Sequence, residues 1–454
     1  MYTSEDWSGI DRANAVDLMQ RASGRGSAPM QVGGVLVLHG RPEQARVRAA
    51  IAERIRAVPR LRRRFVNVPF GAGRPVWVDD PAFDIDAHVR VVECPAPGGE
   101  TELLAIAADL LTRALPRDRP LWSVTLVDEL VDGRSALVVM FDHVLADGIG
   151  GLFVLNQLVD GATPAKDFAF PVPPPRRAEL VADALRSRIR AVRRLPAVPR
   201  VLATAWAELA PAVHVRAPQS SLNQPTGPVR RLGVARADLE SVRQIAHAFG
   251  GTVNDVVLAA VTGALHDLLL ARGETIDSLV VSVPVSARST ASGRLGNAVG
   301  VLPIELPAAG DPAYRLDHIA RIVGARKTNA PGASSALLAP LMRVLAATGA
   351  FDWYVSHQRR INTLVTNVRG PRTPLTFLDV PIEEVIPVTT STGNVTVAFA
   401  VFSYAGRLTV SIVADPVGCP DLPELVSLLR NELRQAGADC GGATRPARPP
   451  SGRR

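Results

Sequence analysis

Residues Ala136 to Phe141 form an unbroken apolar run that ends in Asp142 and His143, with Asp147 and Gly148 close behind. The run has the length of a strand buried on both faces, and the apolar-periodic stretch after Gly148 reads as a helix. Such a strand needs cover on both sides, which points to a layered α/β architecture. His143 falls where the buried strand opens into a loop, a common position for reacting groups. No other histidine of the chain has that setting.

The rest of the chain repeats the alternation of strands and helices. Ser8 to Ser23 reads as a short helix, Gly34 to Leu38 as a strand and Glu43 to Val58 as a basic helix stopped by Pro59. Arg60, Arg62, Arg63 and Arg64 form a charge run expected to be a solvated loop. Pro75 to Val78 and His88 to Val92 alternate as strands, and Leu103 to Leu115 is an amphipathic helix. Ser123 to Val127 and the strand ending at His143 are expected to form a hairpin inside a mixed sheet.

From Pro164 to Pro228 the texture changes. Pro171, Pro173, Pro174 and Pro175 make a stiff stretch, followed by an arginine-rich segment from Arg176 to Arg200. Its apolar residues, Leu180, Val181, Leu185, Ile189 and Val192, give a basic amphipathic helix. Two readings of it stand: a crossover helix whose apolar stripe packs on its own protein, or a surface-seeking helix for anionic headgroups.

Beyond it, strands are expected at Val229 to Ala235, Leu279 to Pro284, Val299 to Leu306, Thr363 to Val368, Glu384 to Val388, Val395 to Tyr404 and Leu408 to Ala414. Helices are expected at Ala237 to Ala248, Val256 to Leu270, Tyr314 to Lys327, Leu337 to Ala347 and Leu422 to Gln435. Thr252 and Asp255 have capping-box spacing. The division is therefore residues 1–163, a Pro/Arg-rich crossover linker 164–228, a second half 229–440, and a disordered tail 441–454. A chain of 454 residues exceeds the roughly 250–300 that one domain usually holds.

Several classes drop out. No Gly-x-Gly-x-x-Gly or Gly-x-x-x-x-Gly-Lys follows a strand, and there is no Gly-x-Ser-x-Gly elbow. Cys94, Cys419 and Cys440 have no paired spacing, which disfavours a thiolate metal site and fits a reducing cytoplasm. The seven other histidines lack metal-ligand spacing and read as surface or packed side chains. The apolar stretch Val256 to Ala271 is interrupted by His266 and Asp267, so any lipid contact is expected from the surface. The net charge of +8 fits either an anionic partner or a plain arginine bias.

A histidine can accept a proton near neutral pH and return it later. Gly148, Gly150 and Gly151 leave room for a substrate to approach. Asp147 either ion-pairs to orient the loop or caps the helix at Gly148. On spacing alone, a catalytic and a structural His143 both stand.

His143-Val-Leu-Ala-Asp147-Gly148 resembles the His-x-x-x-Asp-Gly motif of coenzyme A-dependent acyltransferases with the chloramphenicol acetyltransferase-like fold. Pro120-Leu121-Trp122, Asn254-Asp255-Val256-Val257-Leu258-Ala259, Val283-Pro284-Val285-Ser286-x-Arg288, Gly296-Asn297 and Thr366-Asn367-Val368-x-Gly370-Pro371 resemble the bacterial wax ester synthase/diacylglycerol acyltransferase family. The order and spacing run from Ser8-Gly9-Ile10-Asp11 to Ala414-Asp415-Pro416.

The resemblance implies two chloramphenicol acetyltransferase-like sandwich domains of α/β (α+β) class, with mixed sheets, a helical linker and a tunnel between them. It implies His143 as general base, an Asp147–Arg288 ion pair, and Asn254, Asp255, Thr366 and Asn367 shaping the site from the second half. Acyl-coenzyme A would be co-substrate, with no permanently bound cofactor and no metal. The acceptor would be diacylglycerol or a long-chain alcohol. The setting would be cytoplasmic, with peripheral contact at the inner membrane face or a lipid droplet, and without nucleic acid. Asp142 departs from the family's usual first histidine, and Arg369 from its usual proline. Two alternatives stay open: a same-fold acyltransferase for a natural-product or carrier-bound substrate and, on the strength of Asp142, a silent acyl-coenzyme A or lipid-binding homologue.

Overall fold

The computed structural model describes residues 10–14, 17–18, 20–21, 28–145, 148–162, 169–193, 215–286, 299–327, 348, 350–391 and 393–438. In the first half lie β1 (Gln31–Leu38), α1 (Gln44–Arg54), β2 (Arg63–Val66), β3 (Val76–Asp79), β4 (Val89–Glu93), α2 (Glu100–Thr112), β5 (Trp122–Asp128), β6 (Ser135–Asp142), α3 (Gly148–Leu158) and α4 (Arg177–Arg193). The second half contributes β7 (Arg231–Asp238), α5 (Leu239–Ala248), α6 (Val253–Ala271), β8 (Ser278–Ser286), β9 (Val299–Pro307), α7 (Pro312–Lys327), α8 (Ala350–Ser356), β10 (Thr363–Arg369), β11 (Thr376–Phe377), β12 (Val380–Val388), β13 (Val397–Tyr404), β14 (Arg407–Ala414) and α9 (Leu422–Ala438). The helix expected at Leu337 to Ala347 and the tail lie outside the described residues.

Two six-stranded sheets carry the fold, in the orders β11-β12-β1-β6-β5-β4 and β7-β14-β13-β10-β8-β9. Both are mixed: β4–β5, β8–β10 and β10–β13 pair parallel, and the remaining neighbours antiparallel. Period-2 alternation builds the first sheet's layers. Leu137, Val139 and Phe141 pack with Val47 and Ile51 of α1 and Val154 and Leu158 of α3. Ala136, Val138 and Met140 turn the other way, against Leu103, Leu104 and Leu111 of α2 and against Val234 and Val413 of the second sheet. The second sheet's other face is covered by α5, α6, α7 and α9.

The strands β11 and β12 come from the second half yet pair in the first sheet, β12 running antiparallel to β1 from Gly33–Val388 to Leu38–Ile382. A division at residues 163 and 229 does not show this exchange. The β11–β12 hairpin turns through Leu378 and Asp379, both at positive φ, as a two-residue hairpin demands. Asp160, just past α3, steadies that turn by accepting the backbone N–H of Leu378 (3.0 Å) and Asp379 (2.8 Å). The sheets are also tied by Tyr404, whose hydroxyl donates to the Ile382 carbonyl at 2.9 Å, and by Thr409, which donates to Glu384 at 2.9 Å.

Two expectations need correction. Residues 11–13 do not begin a helix but run beside β3, with the Trp77 amide donating to Asp11 and the Ala13 amide to Pro75. The charge run is no solvated loop: it leads into β2, Arg60 and Arg63 both bind Asp11, and Arg62 is buried over the Phe170 ring. Partner carboxylates and aromatic faces, spread along the chain, make burial of these guanidinium groups tolerable.

Candidate active site

The turn at the end of β6 is held by backbone and side chain together. The Asp142 amide donates to the Leu121 carbonyl (3.0 Å), the His143 amide to Met30 (2.8 Å), and the Leu145 amide back to Asp142 (2.9 Å). The Asp142 Oδ1 accepts the Val144 amide at 2.9 Å, so this residue forms an Asx-type turn immediately around His143. Burial pushes the Asp142 carboxyl above its ordinary value, against the pull of the Val144 N–H and the charges of His143, Arg117 and Arg21. Asp142 is thus the residue that shapes the histidine's turn.

The Pro120-Leu121-Trp122 stretch is the anchor beneath it. Trp122 Nε1 donates to the Leu61 carbonyl at 2.7 Å, and its ring stacks on His88 with centroids 4.4 Å apart. His88 is buried, its Nδ1 2.8 Å from the Trp122 carbonyl, and desolvation lowers its pKa. It is a packed core histidine, as its lack of spacing suggests. Gly151 of α3 sits against the Phe141 ring, where an added Cβ would approach to 3.4 Å.

From the second half, α6 opens at Thr252, whose amide and hydroxyl both donate to Asp255 Oδ2, at 2.7 and 2.8 Å. Asp255 is buried and builds this cap, the arrangement its spacing suggests. Asn254, one residue earlier, accepts from Asn367 Nδ2 of β10 at 3.2 Å. Thr366 reaches the Phe399 carbonyl of β13 at 3.4 Å. The helix α3 contacts β10, and Val368 packs in the same apolar cluster as Leu145 and Val154. Asn254, Asn367 and the helix that begins at Gly148 are therefore joined through one strand. Asp147, Arg288, Gly296 and Asn297 lie outside the described residues, and the expected Asp147–Arg288 pair with them.

Other resemblance residues have structural work. An added Cβ at Gly370 would lie 2.4 Å from the Phe402 ring and 2.6 Å from the Ser403 carbonyl. Only glycine fits where the chain leaves β10 for the first sheet. Asp415 is buried and accepts the amides of Gly227 (2.7 Å), Val417 (3.0 Å) and Gly418 (2.9 Å), beside Arg230 at 3.5 Å. Sequence reasoning missed Asn362, at the root of β10. It is buried, donates to Pro218 (2.8 Å) and Asn223 (2.7 Å), and accepts the Val280 amide (2.9 Å). No periodicity marks a lone asparagine before a strand. Among the described residues, no group of three or more His, Cys, Asp or Glu side chains could hold a metal ion.

This pair of mixed sheets, with one hairpin exchanged between halves, is the chloramphenicol acetyltransferase-like fold. A wax ester synthase/diacylglycerol acyltransferase from Marinobacter aquaeolei superposes with a TM-score of 0.68 over 95% of this chain and 100% of its own, at 23% identity. The first condensation domain of the calcium-dependent antibiotic synthetase gives 0.65 over 95% and 97%, at 18% identity. The family model of the wax ester synthase/diacylglycerol acyltransferase catalytic domain matches residues 14–257, and that of the WS/DGAT C-terminal domain residues 295–436. A Mycobacterium tuberculosis protein named as a probable diacylglycerol O-acyltransferase is 33% identical over 407 residues, covering 85% of this chain and 86% of that protein. The chain belongs to the wax ester synthase/diacylglycerol acyltransferase family, and it is an acyltransferase.

Proposed function

We propose that the chain transfers an acyl group from acyl-coenzyme A to the hydroxyl of a lipid alcohol, diacylglycerol or a long-chain alcohol, with His143 as general base. The observation that carries this is the histidine turn, pinned by Leu121, Met30 and Asp142 at the end of a buried strand. His143 takes the proton of the acceptor hydroxyl as its oxygen attacks the thioester carbonyl. The new C–O bond forms, the C–S bond breaks, and the imidazolium returns its proton to the departing thiolate, so no net proton is gained or lost. Asn254, Asp255, Thr366 and Asn367 bound the site from the second half.

The family and the named relative support diacylglycerol as acceptor. The acceptor's insolubility places the working enzyme at a lipid surface, on the cytoplasmic face of the membrane or on a droplet. The one helix among the described residues long and apolar enough to span a membrane is α6, and 72% of its apolar window is buried in the protein core.

The test follows thiol release from palmitoyl-coenzyme A with dioleoylglycerol or hexadecanol. Acceptor-dependent release should fall by roughly 10²–10⁴-fold in His143→Ala. Release untouched by that change would remove His143 as base, and binding without turnover for every acceptor would identify a silent homologue.

A further inference from the structure

The helix α4 does two things at once. Leu180 and Ala184 are buried, Leu180 against Ala72 and Val76, and Arg12 holds the helix by donating to Asp183 (2.5 Å) and to the Leu180 carbonyl (2.7 Å). At about 100° per residue, Val181, Leu185, Ile189 and Val192 form a second stripe, turned away from that seam. They are 43%, 55%, 46% and 62% exposed. An apolar stripe packed on its own protein therefore describes only the Leu180 side.

The exposed stripe is bordered by cations. On the same helical projection Arg177 and Arg188 lie along one edge and Arg186 and Arg193 along the other, all of them exposed. The two acids of the helix are already engaged: Asp183 by Arg12, and Glu179 by the Arg176 amide at 2.8 Å. A second apolar feature stands beside it. Phe70 is fully exposed in the loop whose Ala72 packs on Leu180 and whose Gly73 abuts Ala184. A phenyl ring and four aliphatic side chains held in water, framed by arginines, match a helix lying in a headgroup layer.

We infer that α4, with the Phe70 loop, docks the enzyme on the surface of an anionic phospholipid bilayer. The apolar stripe enters the acyl boundary and the flanking arginines meet headgroup phosphates. Charge complementarity selects this occupant, since each arginine near an anionic surface strengthens partitioning by roughly fivefold. This deepens the lipid-acceptor reading by naming the surface through which the acceptor's membrane is met.

The experiment is co-sedimentation of the full chain with vesicles of phosphatidylcholine, alone or mixed with phosphatidylglycerol. Wild type should bind the mixed vesicles and release with added salt. Leu185→Ser/Ile189→Ser should lose at least about tenfold in partitioning, and Arg186→Gln/Arg188→Gln should lose about as much while reducing the salt dependence by about half. Both pairs are exposed, so circular dichroism and Tm should not change. Failure of wild type to bind, or unchanged binding by the stripe variant, overturns the inference. A dimer in light scattering that the stripe variant dissociates, without vesicle binding, overturns it in favour of a second copy. Binding is read without substrate, so it stands apart from catalysis: His143→Ala should bind vesicles as wild type does.

Discussion

Replacing Asp142 isolates what the residue beside His143, the proposed base, contributes. Its Oδ1 accepts the Val144 amide at 2.9 Å across His143. A hydrogen bond to a charged acceptor contributes about 1.5–3 kcal/mol, and a partly exposed carboxylate that also bears a burial penalty should sit below that range, near ~1 kcal/mol. Asp142→Ala should therefore cost about 1 kcal/mol in urea unfolding, while kcat falls by 10- to about 100-fold, the usual effect of displacing a reacting group by about 1 Å. Asp142→Asn keeps the acceptor oxygen and should retain wild-type kcat within about threefold. The pH dependence separates charge from geometry. Burial raises the Asp142 carboxyl above the ordinary 3.8, so the folded protein holds this proton more tightly than the unfolded chain does. The burial penalty is absent below 3.8 and grows as pH rises through the folded value. Asp142→Asn lacks that penalty, so its stability relative to wild type should improve from acid toward neutral pH. Equal kinetics for the Ala and Asn variants would refute the turn argument, since then the acceptor oxygen does not matter.

Other outcomes follow from single contacts. Arg315 and Glu432 pair at 2.5 Å in the core, where burial raises the Glu432 carboxyl; Arg315→Met should cost about 3–5 kcal/mol, largely recovered in Arg315→Met/Glu432→Met. A Cβ at Gly33 would lie 1.9 Å from the Val139 carbonyl, so Gly33→Ala should destabilise by at least about 3 kcal/mol in the same urea titration. Asn367→Ala removes the bond to Asn254 and should change stability by less than ~1 kcal/mol while lowering kcat/KM. Unaltered kinetics in that variant would take both asparagines out of the site.

The strand ending at His143 was legible because burial on both faces writes a continuous apolar run, and the helix after Gly148 because its period differs. The two-layer α/β class and the family followed from the same elements and their motifs. What was illegible depends on distant partners. Nothing local shows that Val380–Val388 pairs with β1, since a strand's sequence encodes its faces and not its neighbour. The arginines at 60, 62 and 63 read as solvated because Asp11 and Phe170, which receive them, are far along the chain. Asp142 read as a departure from a motif, and its function became visible only once the Val144 amide was placed. The Leu61 and Met30 carbonyls that pin the site belong to the backbone, which has no residue signature.

The exchanged hairpin also sets a schedule for making the protein. The outer edge of β1 is finished early in synthesis, but its partner β12 emerges roughly 340 residues later. At about 5–20 residues per second, that edge stays open for roughly 20 to 70 seconds, with its backbone donors and acceptors available to any extended chain nearby. The first sheet therefore cannot close while the nascent chain folds half by half. A ribosome stalled before residue 380 should hold a protein that sticks to chaperones, whereas release of the complete chain lets β12 cover the edge and ends that exposure.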